Sequence, residues 1–187
     1  MMFKRGGAFE SLVPENVHII LAPHYFEQLQ LRKNRKLKDI YYRLKTSFLL
    51  RVNGLFKEKY HTEQIVYQSL KSYLKNQEKE YDCAIAYSQG MPTYYVSNHI
   101  TAKRKLAWIN CNYVATKYNK RYDALCYQEI NHVVVVSDFI RESLKKYPFY
   151  KKVEVVNDIV DPQLIECLSE LNDQYDGGME YKGLKLL

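Results

Sequence analysis

The sequence has few of the features that identify a phosphate-binding or metal-binding protein. Only seven of its 187 residues are glycine, and neither a GxGxxG run nor a P-loop run occurs. Four cysteines form no CxxC pair, and five histidines are scattered without ligand spacing. We therefore expect no phosphate cradle, no metal site and no cofactor. The cysteines are expected to be buried or free thiols of a reducing compartment.

Long apolar runs are absent as well. No segment approaches the roughly 20 apolar residues that a membrane span needs, and the start, MMFKRGGAF, lacks the apolar stretch of a signal peptide. These absences predict a cytoplasmic protein. A chain of 187 residues is long enough for one domain with a hydrophobic core, but short for two full domains.

What the chain does contain is a series of short apolar runs, each followed by small polar residues. Strands are predicted at 83–87, 106–109, 133–136 and 153–156. The four consecutive valines of the third run are typical of a strand buried on both faces. Because helix-length segments separate the runs, we expect right-handed crossovers and an α/β fold with a doubly wound, Rossmann-like parallel sheet.

In such a sheet, ligands bind at the carboxyl ends of the strands, where this chain places polar side chains. Ser137 is also suited to cap the helix that follows the third strand, with Asp138 in the first helical turn. Of the eighteen tyrosines, Tyr87 and Tyr113 lie at or just past strand ends, which makes them better candidates for a ligand contact than the tyrosines on helices.

The order and spacing of these segments resemble the amino-terminal domain of bacterial glycosyltransferase family 4 enzymes, especially those that build capsular and other surface polysaccharides. SLVPENVHII is similar to the family's Pro-Glu-Asn-Val turn, which leads into a strand. The other matching segments are AIAYSQGMPTYYV (84–96), KLAWIN (105–110) with a tyrosine shortly after, VVVVSDFIRESL (133–144) and KVEVVNDIVDP (152–162).

The resemblance implies one half of a GT-B architecture. Residues 1–175 would form a Rossmann-like acceptor domain whose first strand is missing, and residues 176–187 a linker and the start of a donor domain. It implies a retaining, metal-independent transfer of a sugar from a nucleotide-sugar to a growing surface polysaccharide or a lipid-linked glycan. The donor would bind the other domain, so this chain alone is expected to be inactive. The alternative is a non-catalytic binding subunit that docks a separately encoded donor domain, or an inactive remnant of a truncated glycosyltransferase.

The resemblance also implies roles for individual residues. Asn110 takes the catalytic position in which many family members have histidine, and its amide can hydrogen-bond a hydroxyl but cannot remove its proton. Ser137 and Asp158 would face the interdomain cleft, where relatives usually have asparagine in place of Asp158. The acceptor-binding wall would comprise Ser88, Gln89, Gly90, Asn112 and Tyr113.

The net charge of +7 is concentrated between residues 32 and 59, which contain ten basic and two acidic side chains. Apolar residues recur there at helical spacing, which indicates a basic amphipathic helix. Its apolar stripe can pack on the sheet with the charges in solvent. Alternatively, the helix contacts an anionic membrane on the inner face of the plasma membrane. Nucleic acid is not expected, because no nucleic-acid-binding motif accompanies the charge. The stripe consists of Leu37, Ile40, Tyr41, Leu44 and Phe48, and the membrane-facing basic residues would be Lys33, Arg35, Lys36 and Arg43.

Overall fold

A computed structural model describes residues 10–20, 37–55, 59–163 and 165–166. The helices within these ranges are α1 (Leu37–Asn53), α2 (Thr62–Leu70), α3 (Met91–His99), α4 (Lys120–Gln128) and α5 (Asp138–Ser143). The strands are β1 (Glu80–Ala86), β2 (Thr101–Ile109), β3 (His132–Val135) and β4 (Val153–Val155). Short 3-10 turns occur at Glu10–Leu12 and Tyr150–Lys152.

The chain divides into two compact units, Met1–Val156 and Asn157–Leu187. All four strands named above belong to the first unit. The domain boundary predicted at residue 175 lies outside the described residues.

The four strands form one parallel sheet in the order β1-β2-β3-β4. This confirms the predicted α/β, Rossmann-like fold, with α3, α4 and α5 connecting consecutive strands. A sequential row of parallel strands is what each half of a doubly wound sheet contains. All four predicted strands are present, although β1 and β2 begin earlier than predicted because Glu80 pairs with Thr101 and Tyr81 pairs with Ala102.

One face of the sheet is covered by helices. Ala86, Ala107, Val133 and Val153 lie side by side across the strands and are all buried. They form a hydrophobic core with aromatic side chains from beyond the strands, in which the rings of Tyr127 and Phe149 stack at 4.3 Å.

The opposite face is partly open in the described part of the chain. Ile85 and Tyr87, which alternate with the buried alanines of β1, are 53% and 68% exposed. Trp108 on β2 is half-buried on the same face. At the amino end of this face, His132 pairs with Glu154 at 2.7 Å.

Helices α1 and α2 form an outer layer with a second core against α3 and α4, made of Tyr42, Tyr67, Leu70, Leu74, Met91, Tyr94 and Cys126. Helix α1 packs through Tyr42 and through two polar residues, Asp39 and Thr46. The Thr46 hydroxyl lies 2.6 Å from that of Ser69, and Tyr73 donates to buried Asp39 at 2.8 Å.

The apolar stripe of α1 faces away from this packing. Leu37, Leu44 and Phe48 are 86%, 67% and 64% exposed. The stripe therefore does not pack on the sheet, which was one of the two arrangements considered for it. Helix α1 confirms the predicted helix within the described residues, whereas Lys33, Arg35 and Lys36 lie outside them.

Candidate functional site

The carboxyl ends of β1 and β2 bring two of the predicted site residues into contact. The backbone N–H of Asn110 donates to the Gln89 side-chain oxygen at 3.2 Å. The Asn110 side-chain amide donates to the Tyr87 carbonyl at 3.1 Å. These bonds fasten the loop after β1 to the end of β2, and Asn110 is exposed at this point.

An aromatic pair adjoins the amides. The rings of Tyr87 and Trp108 lie 5.5 Å apart, tilted by 34°, on the open face of the sheet. Trp108 was not among the predicted site residues, because within KLAWIN it reads as a core residue of a strand. Trp108 could have been predicted from its position two residues before Asn110, because residues two apart along a strand lie on the same face of the sheet.

A groove of about 550 Å³ runs beside β1 and α3 and ends at this edge. Its surface is mostly apolar, and Tyr87 and Ser88 form the end nearest the amides. Its other lining residues include Tyr81, Ile85, Pro92 and Tyr95.

The loop between β1 and α3 is built around a carboxylate from α2. Glu63 accepts the backbone N–H of Met91 through Oε1 at 2.7 Å and the Tyr118 hydroxyl through Oε2 at 2.6 Å. Gly90 adopts a φ of +77°, and a Cβ at this position would collide with the Glu63 carboxylate. Burial, and secondarily the negative charge of Glu63, raise the pKa of the nearby Cys111 thiol.

Asn112 and Tyr113 have different environments. Asn112 is exposed, and its side-chain oxygen accepts the N–H of Ala115 at 3.3 Å. Tyr113 is fully buried, and its hydroxyl donates to Asp123. The structure therefore places Tyr113 beneath the edge, where its ring supports the site and is not on the surface that an acceptor would touch.

Asp123 is the centre of a buried polar cluster. Its carboxylate also accepts the Tyr94 hydroxyl at 2.6 Å and the Gln64 amide at 2.7 Å. Burial raises the pKa of Asp123, while the hydrogen bonds from the two tyrosines and Gln64 act in the opposite direction. In the sequence Asp123 looks like an ordinary acidic residue of a first helical turn, so this cluster was missed.

The remaining predicted positions are not gathered at one point. Ser137 is the N-cap of α5, as predicted, and its hydroxyl accepts the N–H of Ile140 at 3.4 Å. Asp158 is exposed in the second compact unit. Arg43 lies on α1, half-buried and engaged with other groups.

The described residues contain neither a group of three or more potential metal ligands nor a helix that is long and apolar enough to cross a membrane. Cys83, Cys111 and Cys126 are free thiols. Comparison with protein-family models, with curated proteins and with solved structures found no match for this chain.

Proposed function

We propose that this chain is the acceptor-binding half of a GT-B glycosyltransferase, which transfers a sugar from a nucleotide-sugar to a growing surface polysaccharide or lipid-linked glycan. Two observations support the proposal. The segments that resemble family 4 enzymes include the four strands and their polar exits, and these strands form a Rossmann-like parallel sheet. A retaining reaction would draw its diphosphate stabilisation from the donor domain.

The observation that carries the proposal is the edge at which Gln89, Asn110, Tyr87 and Trp108 meet. Side-chain amides can both donate to and accept from sugar hydroxyls. An exposed aromatic ring offers an apolar surface next to these polar groups. In this role Asn110 would orient the acceptor hydroxyl without deprotonating it, and Ser88 and Asn112 would extend the polar surface.

An apolar carrier on the acceptor would suit two further features. The groove beside β1 adjoins the amides and is mostly apolar. Helix α1 also carries Lys38, Lys45 and Arg51, although the ammonium groups of Lys38 and Lys45 lie over the rings of Tyr73 and Tyr42. A basic helix with an exposed apolar stripe can lie on an anionic bilayer, where each basic residue contributes on the order of 1 kcal/mol. The protein would then act on the inner face of the plasma membrane.

Binding of alkyl hexosides, each a neutral sugar on a short apolar chain, tests the proposed edge. Titrations followed by backbone amide NMR should move the signals of the β1 and β2 ends, and Asn110→Ala or Trp108→Ala should weaken binding about tenfold, the loss expected from one or two polar or stacking contacts. His132→Ala, on the same face at the amino end, is the matched control. Unchanged binding by Asn110→Ala and Trp108→Ala would refute the proposed edge.

Vesicle co-sedimentation tests the membrane location. Wild-type protein should bind vesicles that contain anionic lipid and lose this binding at high salt. Leu44→Ser should bind less, whereas Leu125→Ser, which alters a leucine of similar exposure on α4 (64%), should bind normally. Binding that is indifferent to lipid charge, or equal loss in both variants, would remove the membrane role.

The non-catalytic alternative predicts the same acceptor binding but no transfer. Both hypotheses predict that the purified chain, incubated with nucleotide-sugars and membrane extract, releases no more nucleotide than a control without protein. Addition of a separately expressed GT-B donor domain distinguishes the two hypotheses. Acceptor-dependent nucleotide release in that mixture would establish a split enzyme, and a stable complex without release would establish a binding subunit.

A further inference from the structure

The Glu63 carboxylate lies where the amino termini of two helices meet. Glu63 belongs to the first turn of α2, and its Oε1 accepts the N–H of Met91, the first residue of α3. The Tyr118 hydroxyl holds the other oxygen. Both helix termini carry partial positive charge, which stabilises a negative group at this place.

A helix amino terminus that follows a parallel strand is a common binding position for phosphate and other anions. In this chain the carboxylate of Glu63 already occupies that position after β1. The loop is also shaped around it, because a side chain at Gly90 would collide with the Glu63 carboxylate. The donor that an external anion would use, the N–H of Met91, is therefore taken.

We infer that Glu63 is a specificity-determining residue, a built-in anion that excludes phosphate and carboxylate groups of a ligand from the loop between β1 and α3. This loop adjoins the edge formed by Gln89 and Asn110. The acceptor would then present a neutral sugar to this edge, and any phosphate that it carries would lie elsewhere. This last step rests on the proposed function, whereas the exclusion of anions does not.

Inorganic phosphate, titrated at constant ionic strength, is the probe. In the wild type the amide NMR signal of Met91 should not move. Glu63→Ala frees the donor and removes the competing charge, so phosphate should produce a saturable shift of this signal that the wild type does not show. The control is Glu129→Ala, which makes the same change of net charge at an exposed position on the C-terminal side of α4 and should behave as the wild type.

A phosphate-dependent shift of Met91 in the wild type would overturn the inference, as would an equal response of Glu63→Ala and Glu129→Ala. If Glu63→Ala does not fold, Glu63→Ser provides the second variant, with thermal melting as the readout. Phosphate should raise its melting temperature more than that of Glu129→Ala, and an equal rise would refute the inference. Because phosphate is not a sugar, failure of the alkyl hexoside titration leaves this result intact.

Discussion

The two faces of the sheet are made by alternate residues of the same strands, yet they differ in composition and in burial. On the covered face Ala107, Ile109 and Val135 are fully buried under helices. On the other face Ile85 and Tyr87 are largely exposed, and the polar edge lies at its carboxyl end. The covered face therefore stabilises the fold, whereas the other face is exposed along β1 but buried at Val134 of β3.

Helix α1 also has one packed side and one exposed side. Its packed side carries two polar residues beside Tyr42, since Asp39 and Thr46 are buried in hydrogen bonds with partners from α2 and the following loop. Its exposed side is apolar, with Leu44 and Phe48 in solvent. Apolar character alone is therefore a poor guide to burial in this helix.

The strongest test of the comparison is one substitution made on both faces. Ile109→Ala removes a fully buried side chain and should lower the free energy of unfolding by about 2–5 kcal/mol. Ile85→Ala should lower it by less than about 1 kcal/mol, because 53% of this side chain already contacts solvent. Urea denaturation measures both values. Equal losses would mean that the open face is covered in solution.

The sequence was sufficient for the elements whose pattern is local. Consecutive valines identified β3, and Ser137 identified the start of α5. The packing of α1 could not be predicted, because its inward side is held by the burial of Tyr42 and by hydrogen bonds to Ser69 and from Tyr73, residues far away in the sequence. The cluster at Asp123 was equally hidden, since its partners come from other parts of the chain and no periodicity relates them.

A smaller loss of stability than that of Ile109→Ala is expected in the loop between β1 and α3. Gly90→Ala should cost about 1–3 kcal/mol, because alanine is strained at a φ of +77° and its Cβ would meet the Glu63 carboxylate. Gly54→Ala is the control, since Gly54 has ordinary φ and its added Cβ would meet only the Arg51 carbonyl at 3.3 Å. Thermal melting should also show a smaller Gly90→Ala effect in a Glu63→Ala background. If Gly90→Ala lowers the melting temperature equally in both backgrounds, the loss of stability comes from the strained backbone alone.

The buried carboxylate predicts a pH dependence. Because burial raises the pKa of Asp123, the folded state holds its proton more tightly than the unfolded state. This group therefore contributes stability that is present below its unfolded pKa and is lost as the pH rises through the folded pKa.

Asp123→Asn should remove that component of the pH dependence. Near neutral pH its effect should be about 1 kcal/mol in either direction, since the amide avoids a buried charge but pairs less well with the two tyrosines. Unfolding free energies measured across the acidic range, with the exposed Asp138→Asn as the control, test this. Parallel pH curves for Asp123→Asn and the wild type would show that Asp123 keeps its ordinary pKa.

The smallest effect on stability is expected at the exposed side of α1. Phe48→Ser should change the free energy of unfolding by no more than about 0.5 kcal/mol, because 64% of the phenylalanine is already in solvent. Thr46→Ala, on the packed side of the same helix, should cost about 0.5–1.5 kcal/mol through its lost hydrogen bond to Ser69. Urea denaturation without lipid measures the free energy of unfolding of both variants. If Phe48→Ser proved as destabilising as Thr46→Ala, another part of the protein would cover the apolar stripe in solution, and the stripe would no longer be available to a membrane.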